Sequence, residues 1–189
     1  MFFDTETIGL PADYKAPSSD LENWPRAIQI AWVVADEDGN VIKSQSRVIK
    51  PDGFEIPEAA TEIHGITTEM ALAEGVSLHD VVQEFIDDLQ GKMPVAHNIS
   101  FDRRILGAEL IRCGFDDVIG ETKGVCTMTS SVGYCKLPSR RGYKWPTLSE
   151  LHHKLFGETF EGAHDALVDV RACARCFFEL KRLGVVSGC

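Results

Sequence analysis

The chain has 189 residues, 44% of them hydrophobic and 25% charged, with a net charge of −10 at pH 7. This length and composition predict one domain over residues 1–189 with a sizeable core. No apolar run reaches membrane length, and Asp4 and Glu6 lie where a signal peptide would be apolar, so we expect a cytoplasmic protein. The acidic balance excludes strong nonspecific binding to nucleic acid through a generally basic surface.

The predicted elements alternate between strands and helices. Apolar, largely β-branched runs predict strands at Met1–Asp4, Ala27–Ala35, Val41–Ile49, Met93–His97 and Val125–Met128. Helical spacing predicts helices at Pro57–Ile63, Ser77–Leu89, from Ser100 through Leu110, Thr147–Phe156 and Ala166–Leu183. The segment Leu10–Arg26 has three prolines and is expected to be a loop. An early hairpin followed by alternating elements predicts an α/β fold with one mixed sheet flanked by helices.

Four acids lie where predicted strands end or predicted helices begin. Asp4 and Glu6 are two apart on an extended segment, so both point to one face. Asp102 and Asp169 fall in the first turns of helices, where the helix dipole favours any carboxylate, so each alone fits an ordinary helix start. Brought together, four carboxylates repel one another, and a pair of Mg²⁺ ions would relieve that repulsion. The joint pattern therefore predicts a site for two divalent ions acting on a phosphodiester.

Histidines are the candidates for a general base, because the imidazole pKa suits proton transfer near neutral pH. His164 lies five residues before Asp169, and Gly162 and Ala163 indicate that it sits on a loop entering the last helix. The alternative is an ordinary histidine of a surface loop. His152 and His153 are expected on a solvated helix face, outside the site.

Three segments resemble the motifs of the DEDDh family of 3′→5′ exonucleases, the family of the proofreading epsilon subunit of replicative DNA polymerase. The matching segments, in the family's order, are Asp4-Thr5-Glu6, Ala96-His97-Asn98 with Phe101-Asp102, and His164 with Asp169. The match runs from Met1 to about Leu183 and keeps every acid and the histidine. Each motif alone is weakly specific, whereas three in order are a specific signal.

The resemblance implies a ribonuclease H-like α/β fold with a mixed five-stranded sheet. It implies that His164 is the general base and that nucleoside 5′-monophosphates are released from the 3′ end of a single strand. The residues that would hold two Mg²⁺ or Mn²⁺ ions are Asp4, Glu6, Asp102 and Asp169.

The resemblance also points to substrate contacts. Thr7 continues the first motif, and the segment around His64 resembles one that lines the pocket for the terminal nucleotide. Leu10 and Phe101 are candidates to wedge or stack against the last base, although Phe101 fits the core equally well. Asn98 would orient the strand or, alternatively, cap the helix predicted from Ser100.

A basic segment lies within Thr122–Ser149, which contains no acid. Arg140, Arg141 and Lys144 are interleaved there with Tyr143 and Trp145, a pattern typical of loops that follow a single-stranded backbone and stack a base. The alternative is a solvated charged loop with Trp145 in the core.

Other functions remain as alternatives. A non-catalytic partner-binding domain of the same fold would have lost ligands, and none is lost here. A phosphatase with an Asp-x-Asp pair does not explain Glu6 or the pairing of His164 with Asp169. Thr5-Glu6-Thr7 is closer to DNA proofreading and repair enzymes than to oligoribonucleases, so DNA is expected, with exoribonuclease activity as the alternative. No counterpart of the polymerase-binding tail is seen, which favours a stand-alone enzyme over a polymerase subunit.

Overall fold

The computed structural model describes residues 1–186, and its centre is one mixed sheet. In the spatial order β3-β2-β1-β4-β5, the strands are β1 (Phe2–Thr7), β2 (Ala27–Ala35), β3 (Val41–Val48), β4 (Val95–Ala96) and β5 (Val125–Cys126). β1, β2 and β3 pair antiparallel, whereas β4 runs parallel to β1 and β5 runs parallel to β4. The predicted five-stranded mixed sheet is therefore confirmed. A separate hairpin pairs β6 (Pro138–Ser139) with β7 (Gly142–Tyr143).

Helices cover both faces of the sheet. The described helices are α1 (Glu58–His64), α2 (Thr68–Glu74), α3 (Leu78–Leu89), α4 (Ile99–Arg112), α5 (Val118–Glu121), α6 (Thr127–Ser130), α7 (Val132–Cys135), α8 (Leu148–Phe156) and α9 (Ala166–Arg182). Side chains of α3 and α4 pack on one face, and those of α8 and α9 pack on the other. Among these helices of residues 1–186, none combines the length and apolar character needed to cross a bilayer.

Alternation along β1 gives each face of the sheet its own contacts. Phe3 points to the α3 side, where its ring centroid lies 5.7 Å from that of Phe85. Phe2 points to the α9 side, 5.3 Å from the ring of Phe177. Because side chains alternate along a strand, Asp4 shares the face of Phe2 and Thr5 shares that of Phe3. The sheet thereby directs neighbouring residues of β1 to two different helices.

A buried ionic cluster fixes α4 against the sheet. The Glu109 carboxylate is fully buried and accepts hydrogen bonds from the Arg26 side chain at 3.0 Å and the Ala27 N–H at 2.7 Å. Arg112 lies 3.2 Å from the same carboxylate. A buried charge is tolerated only when it is paired and hydrogen-bonded, so this cluster sets where α4 lies relative to β2.

Several local predictions need correction. The strands predicted at Met93–His97 and Val125–Met128 are shorter in the structure, because α4 begins at Ile99, three residues after Ala96, and α6 begins directly after Cys126. The helix predicted from Ser100 begins one residue earlier, after Asn98. The φ of 66° at Asn98 turns the chain between the strand and the helix. Asparagine enters this left-handed region more readily than most residues. The described helices α2, α5, α6 and α7 and the β6–β7 hairpin were not predicted.

Candidate active site

The site is built on the carboxyl-terminal half of β1. Asp4 and Glu6 lie on the face of β1 that meets α9, as their spacing predicted. Asp4 pairs across the sheet with Ala31, whose small buried side chain belongs to the same packed layer as α9. Two carboxylates thus point toward the start of one helix.

Asp102 joins the site from α4. It lies in the first turn of the helix and is 3% exposed. Its Oδ1 accepts one hydrogen bond from the Thr5 N–H at 3.1 Å and another from the Thr5 hydroxyl at 2.8 Å. These bonds fasten the start of α4 to β1 between the two other acids. Thr5 was not among the predicted site residues, although strand alternation alone turns it toward α4.

Asp169 joins the site from α9, whose start is held in two ways. Asp165 caps the helix by accepting from the N–H groups of Leu167 at 2.8 Å and Val168 at 3.3 Å. The Ala166 N–H donates to Gln29 Oε1 at 3.2 Å, which ties the helix to β2. Neither Asp165 nor Gln29 was among the predicted site residues; an Asp directly before a helix is a recognisable cap, whereas the role of Gln29 depends on the fold.

His164 precedes the cap and stands on the open side of the acids. Its backbone has φ 71°, a left-handed conformation, and its N–H donates to Asp169 Oδ2 at 2.8 Å. The candidate ligand atoms of Glu6, His164 and Asp169 all lie within 4.8 Å of one another. The exposed imidazole is therefore beside the carboxylates that the sequence paired with it.

Electrostatics identify the four acids as one cluster. Burial and the nearby charges of Asp102, Asp169 and Glu6 raise the pKa of Asp4 well above its usual value. Burial, followed by the charges of Asp169 and Asp102, raises the pKa of Glu6 to about 8. Burial raises the pKa of Asp102 to about 7 although the Thr5 hydrogen bonds oppose it, and burial also raises that of Asp169. The cluster therefore carries negative charge at a cost that a cation would remove.

The donor chemistry of the cluster fits hard divalent cations. Carboxylate oxygens are the ligands that Mg²⁺ prefers, and they also suit Mn²⁺. Burial, and to a smaller extent the charges of Cys176, Asp4 and Asp102, raise the pKa of Cys173. Its thiol lies in the α9 core, 3.6 Å from the Thr127 hydroxyl. The accessible donors are thus oxygens and one imidazole.

Four of the predicted substrate contacts, Thr7, Leu10, Asn98 and Phe101, lie on or next to β1 and α4, the elements that carry Asp4, Glu6 and Asp102. Leu10 is 74% exposed, whereas Phe101 is half-buried and packs at the edge of the core. Contact of either residue with a base stays a prediction. The Thr7 hydroxyl donates to the Gly9 carbonyl at 2.7 Å. Asn98 occupies the N-cap position of α4, as the capping alternative placed it, but its side chain makes no capping hydrogen bond.

His64 lies near the open side of the site. Its Nδ1 accepts from the Ile66 N–H at 3.1 Å, and its Nε2 is buried without a hydrogen-bond partner among residues 1–186. Burial lowers the pKa of His64, and the charge of His164 lowers it further. Two histidines from α1 and the α9 entry loop therefore flank the same region.

The basic segment forms the β6–β7 hairpin. Arg140 and Arg141 are exposed at its turn, and Lys144 Nζ pairs with Glu150 at 2.5 Å. Trp145 is 65% exposed, so the alternative that placed it in the core is wrong. The hairpin therefore offers cations and an aromatic ring to solvent.

A half-buried histidine, His97, connects this hairpin to the strand next to β1. His97 Nε2 lies 3.0 Å from the Pro146 carbonyl, and its Nδ1 lies 3.0 Å from the Thr127 hydroxyl. Burial lowers the pKa of His97 to about 4, so the ring is neutral, and because a carbonyl only accepts, Nε2 donates to Pro146. His97 follows β4 directly and thus ties the base of the hairpin to the strand beside β1. The second motif contains His97, but its spacing gave no sign of this contact.

The prediction for His152 is wrong. Its side chain is buried, with Nδ1 3.0 Å from the Glu158 carbonyl and Nε2 3.1 Å from Arg175. The rings of Phe156 and Phe160 pack against it, because the segment after α8 folds back over the helix. His153 is exposed, as predicted.

Comparison with known proteins identifies the family of the chain. The exonuclease family model RNase_T matches residues 1–177. The DNA polymerase III epsilon subunit of Treponema pallidum is 30% identical over 181 residues, which are 93% of this chain and 73% of that protein. A PolC-type DNA polymerase III of Pediococcus pentosaceus is 28% identical over 96% of this chain, which spans only 11% of that polymerase.

The structure is also similar to solved structures. E. coli exonuclease I in complex with a dT13 oligonucleotide superposes with a TM-score of 0.75 at 22% identity, over 97% of this chain and 42% of that one. At this identity the likeness shows the fold alone, and it confirms the predicted ribonuclease H-like α/β architecture. Because the family model covers nearly the whole chain and the epsilon relative agrees with it, the chain belongs to the RNase_T exonuclease family, which confirms the DEDDh-type resemblance of its three motifs.

Proposed function

We propose that this chain hydrolyses phosphodiester bonds at the 3′ end of single-stranded DNA and releases nucleoside 5′-monophosphates. The observation that carries the proposal is the convergence of four carboxylates from β1, α4 and α9 on one cluster, with an imidazole at its open side. Clusters of this kind, where burial and like charges perturb several pKa values together, are typical of catalytic sites.

Asp4, Glu6, Asp102 and Asp169 would hold two Mg²⁺ or Mn²⁺ ions. When bound, such a pair activates the attacking water and stabilises the leaving oxygen of an in-line displacement. The protein contributes the alignment of the ligands. Thr5 holds Asp102 through two hydrogen bonds, and the His164 N–H holds one oxygen of Asp169. Fixed ligands lower the reorganisation that the reaction requires.

His164 would accept the proton of the attacking water. Its imidazole is exposed, so a solvent molecule reaches it freely, and it lies beside Glu6 and Asp169. The hydrogen bond from its own N–H to Asp169 fixes the backbone that carries the ring. A well-placed general base contributes about 10²–10⁴ to the rate.

The β6–β7 hairpin would hold the strand on its way to the site. Arg140, Arg141 and Lys144 supply charge for phosphates, and Trp145 supplies an exposed ring for a base. Lys144 already forms an ion pair with Glu150, so Arg140 and Arg141 are the cations more available to phosphates. A local basic surface on a chain of net charge −10 favours a strand that is held briefly and released.

The relatives support DNA as the substrate. The two relatives are named as a PolC-type DNA polymerase III and a DNA polymerase III epsilon subunit, and the exonuclease I structure contains a DNA oligonucleotide. The chain spans about a tenth of the PolC-type relative and 42% of the exonuclease I chain, so their complete activities are not carried over. A DNA polymerase is the protein partner that these names support.

The test is nucleotide release from oligonucleotides labelled at either end. Single-stranded DNA, duplex DNA and RNA of one sequence are compared with Mg²⁺, with Mn²⁺ and with chelator. We expect metal-dependent release of 5′-monophosphates, with the 3′ label released before the 5′ label. Release should be fastest on single-stranded DNA. Faster release from RNA would assign the chain as an exoribonuclease.

Asp4→Asn is the matched inactive variant, because it keeps the shape of the side chain and removes its charge. Asp52→Asn, an exposed acid outside the cluster, is its control. We expect Asp4→Asn to lose release while its circular dichroism matches that of the parent, and Asp52→Asn to keep the parental rate. Metal-dependent release by Asp4→Asn at the parental rate would contradict the proposal.

A further inference from the structure

The long loop Leu10–Arg26, between β1 and β2, is anchored to α4 instead of moving freely. The Trp24 indole is 2% exposed, and its N–H donates to the Pro17 carbonyl at 2.9 Å. Arg112 of α4 donates to the carbonyls of Leu21 at 2.5 Å and Trp24 at 2.7 Å. Buried side chains and hydrogen bonds to a helix therefore give this loop a defined conformation.

The part of the loop that carries Tyr14 is fixed as well. The preceding residue, Asp13, makes two hydrogen bonds with Asn23. The Asp13 N–H donates to Asn23 Oδ1 at 2.7 Å, and the Asn23 side-chain amide donates to the Asp13 carbonyl at 2.9 Å. Two residues after Tyr14, Ala16 is buried and its carbonyl accepts from the Arg104 guanidinium of α4. The backbone on both sides of Tyr14 is thus held in place.

Tyr14 itself remains open to solvent in this rigid setting. Its side chain is 53% exposed, and within residues 1–186 its hydroxyl makes no hydrogen bond. Its ring centroid lies 6.4 Å from that of Phe101, with the two planes tilted by 40°. Phe101 immediately precedes Asp102 in the first turn of α4, so the aromatic pair lies at the end of the helix that supplies a carboxylate of the site. Within the pair, Phe101 packs at the edge of the core and Tyr14 faces outward.

We infer that Tyr14 is a base-stacking residue that receives an unpaired nucleobase near the 3′ end of the strand, beside Phe101. The inference rests on the proposed function and defines its substrate more closely. A phenol ring presents a flat face that any of the four bases can cover, which gives binding without sequence preference. Because the bases of a duplex already cover one another, the contact selects an unpaired end. The fixed backbone around Tyr14 adds affinity, since little backbone freedom is lost on binding.

The test is a cycle that removes the tyrosine ring and the nucleobase in turn. KM and kcat are measured for the parent, Tyr14→Ala and Tyr14→Phe, on single-stranded DNA with normal bases or with abasic residues at its last two positions. Ile42→Ala, which removes an exposed side chain of β3, is the control. We expect Tyr14→Ala to raise KM roughly 5- to 150-fold, with a smaller change in kcat, and Tyr14→Phe to behave like the parent. On abasic ends, the parent and Tyr14→Ala should have equal KM values.

Two results would overturn the inference while leaving the proposed function in place. One is a Tyr14→Ala KM within about twofold of the parent on normal DNA, which is below the range of one stacked base. The other is an equal loss on normal and abasic ends. If the parent releases no nucleotide at all, the proposed function fails instead. Stacking is then measured by fluorescence quenching of a 3′-terminal 2-aminopurine on binding, and quenching that Tyr14→Ala leaves unchanged would overturn the inference.

Discussion

Replacement of Thr5 by valine should weaken Mg²⁺ binding, because Thr5 stabilises the ionised form of Asp102. The Thr5 hydroxyl donates to Asp102 Oδ1 at 2.8 Å, and both side chains are buried. Valine keeps the branched shape and the backbone N–H bond of 3.1 Å but removes the hydroxyl donor. Burial already raises the pKa of Asp102 to about 7, and loss of this bond raises it further.

The size of the effect follows from the strength of the missing bond. A hydrogen bond to a charged group contributes about 1.5–3 kcal/mol, so its loss should lower the apparent Mg²⁺ affinity by up to roughly 10- to 150-fold at pH values where protons compete with the metal for Asp102. Thr5→Val should also lower the stability of the folded protein. The folded pKa lies above the unfolded one, so ionisation of Asp102 costs stability, and that cost is absent below the unfolded pKa and complete above the folded one. Thr5→Val should therefore lower Tm by roughly 3–12 °C well above neutral pH and by less in acid.

Two assays are needed. A calorimetric titration measures Mg²⁺ affinity, and thermal unfolding measures Tm at an acidic and an alkaline pH. Thr122→Val is the matched control, because the Thr122 hydroxyl donates only to the Val118 carbonyl on the surface. We expect the control to keep the parental Mg²⁺ affinity. An unchanged Mg²⁺ affinity in Thr5→Val, or an equal loss of Tm at both pH values, would refute the reasoning.

Three further substitutions probe the base, the strand path and the scaffold. His164→Ala should lower kcat by about 10²–10⁴ in a single-strand release assay, and an unchanged kcat would assign proton transfer to another group. Joint replacement of Arg140 and Arg141 by alanine should make the affinity for single-stranded DNA less dependent on salt. The slope of log affinity against log salt concentration should fall by about 0.7 for each phosphate that the hairpin no longer neutralises. A slope equal to that of the parent would place the strand elsewhere. Glu109→Gln should destabilise the fold by about 3 kcal/mol, the low end for a broken buried pair because Arg26 is partly exposed. Thermal unfolding measures this loss, and a Tm equal to that of the parent would show that the cluster does not stabilise the fold.

The acids of the site could be predicted because their positions follow from local rules. Asp4 and Glu6 share a face by strand alternation, and Asp102 and Asp169 lie in first helical turns, where the dipole favours them. These rules place each acid on its element but do not bring the elements together. The contacts that do so include Gln29 to Ala166, which are 137 positions apart in the chain. That the four acids lie close together was predicted from the joint pattern and the resemblance to the exonuclease family, not from these local rules.

The residues that support the site could not be predicted, because their partners come from distant segments. His97 bonds the Pro146 carbonyl 49 residues away, and this contact depends on how the hairpin returns to the sheet. His152 has the spacing of a solvated helix residue, yet the segment after α8 covers it with Phe160. The short helices and the β6–β7 hairpin contain too few residues for a periodic pattern, so tertiary contacts determine them.

The central claim is that Asp4, Glu6, Asp102 and Asp169 form one acidic cluster that divalent ions neutralise. Thermal unfolding from about pH 5 to about pH 9, with and without Mg²⁺, tests it most directly. Because burial and mutual repulsion raise the pKa values of these carboxyl groups in the folded state, metal-free protein should lose stability as the pH rises through about 8, the pKa of Glu6. Mg²⁺ should restore that stability at high pH, and the gain should be largely absent in Asp4→Asn. A flat metal-free profile, with the same Mg²⁺ effect in the parent and in Asp4→Asn, would contradict the account.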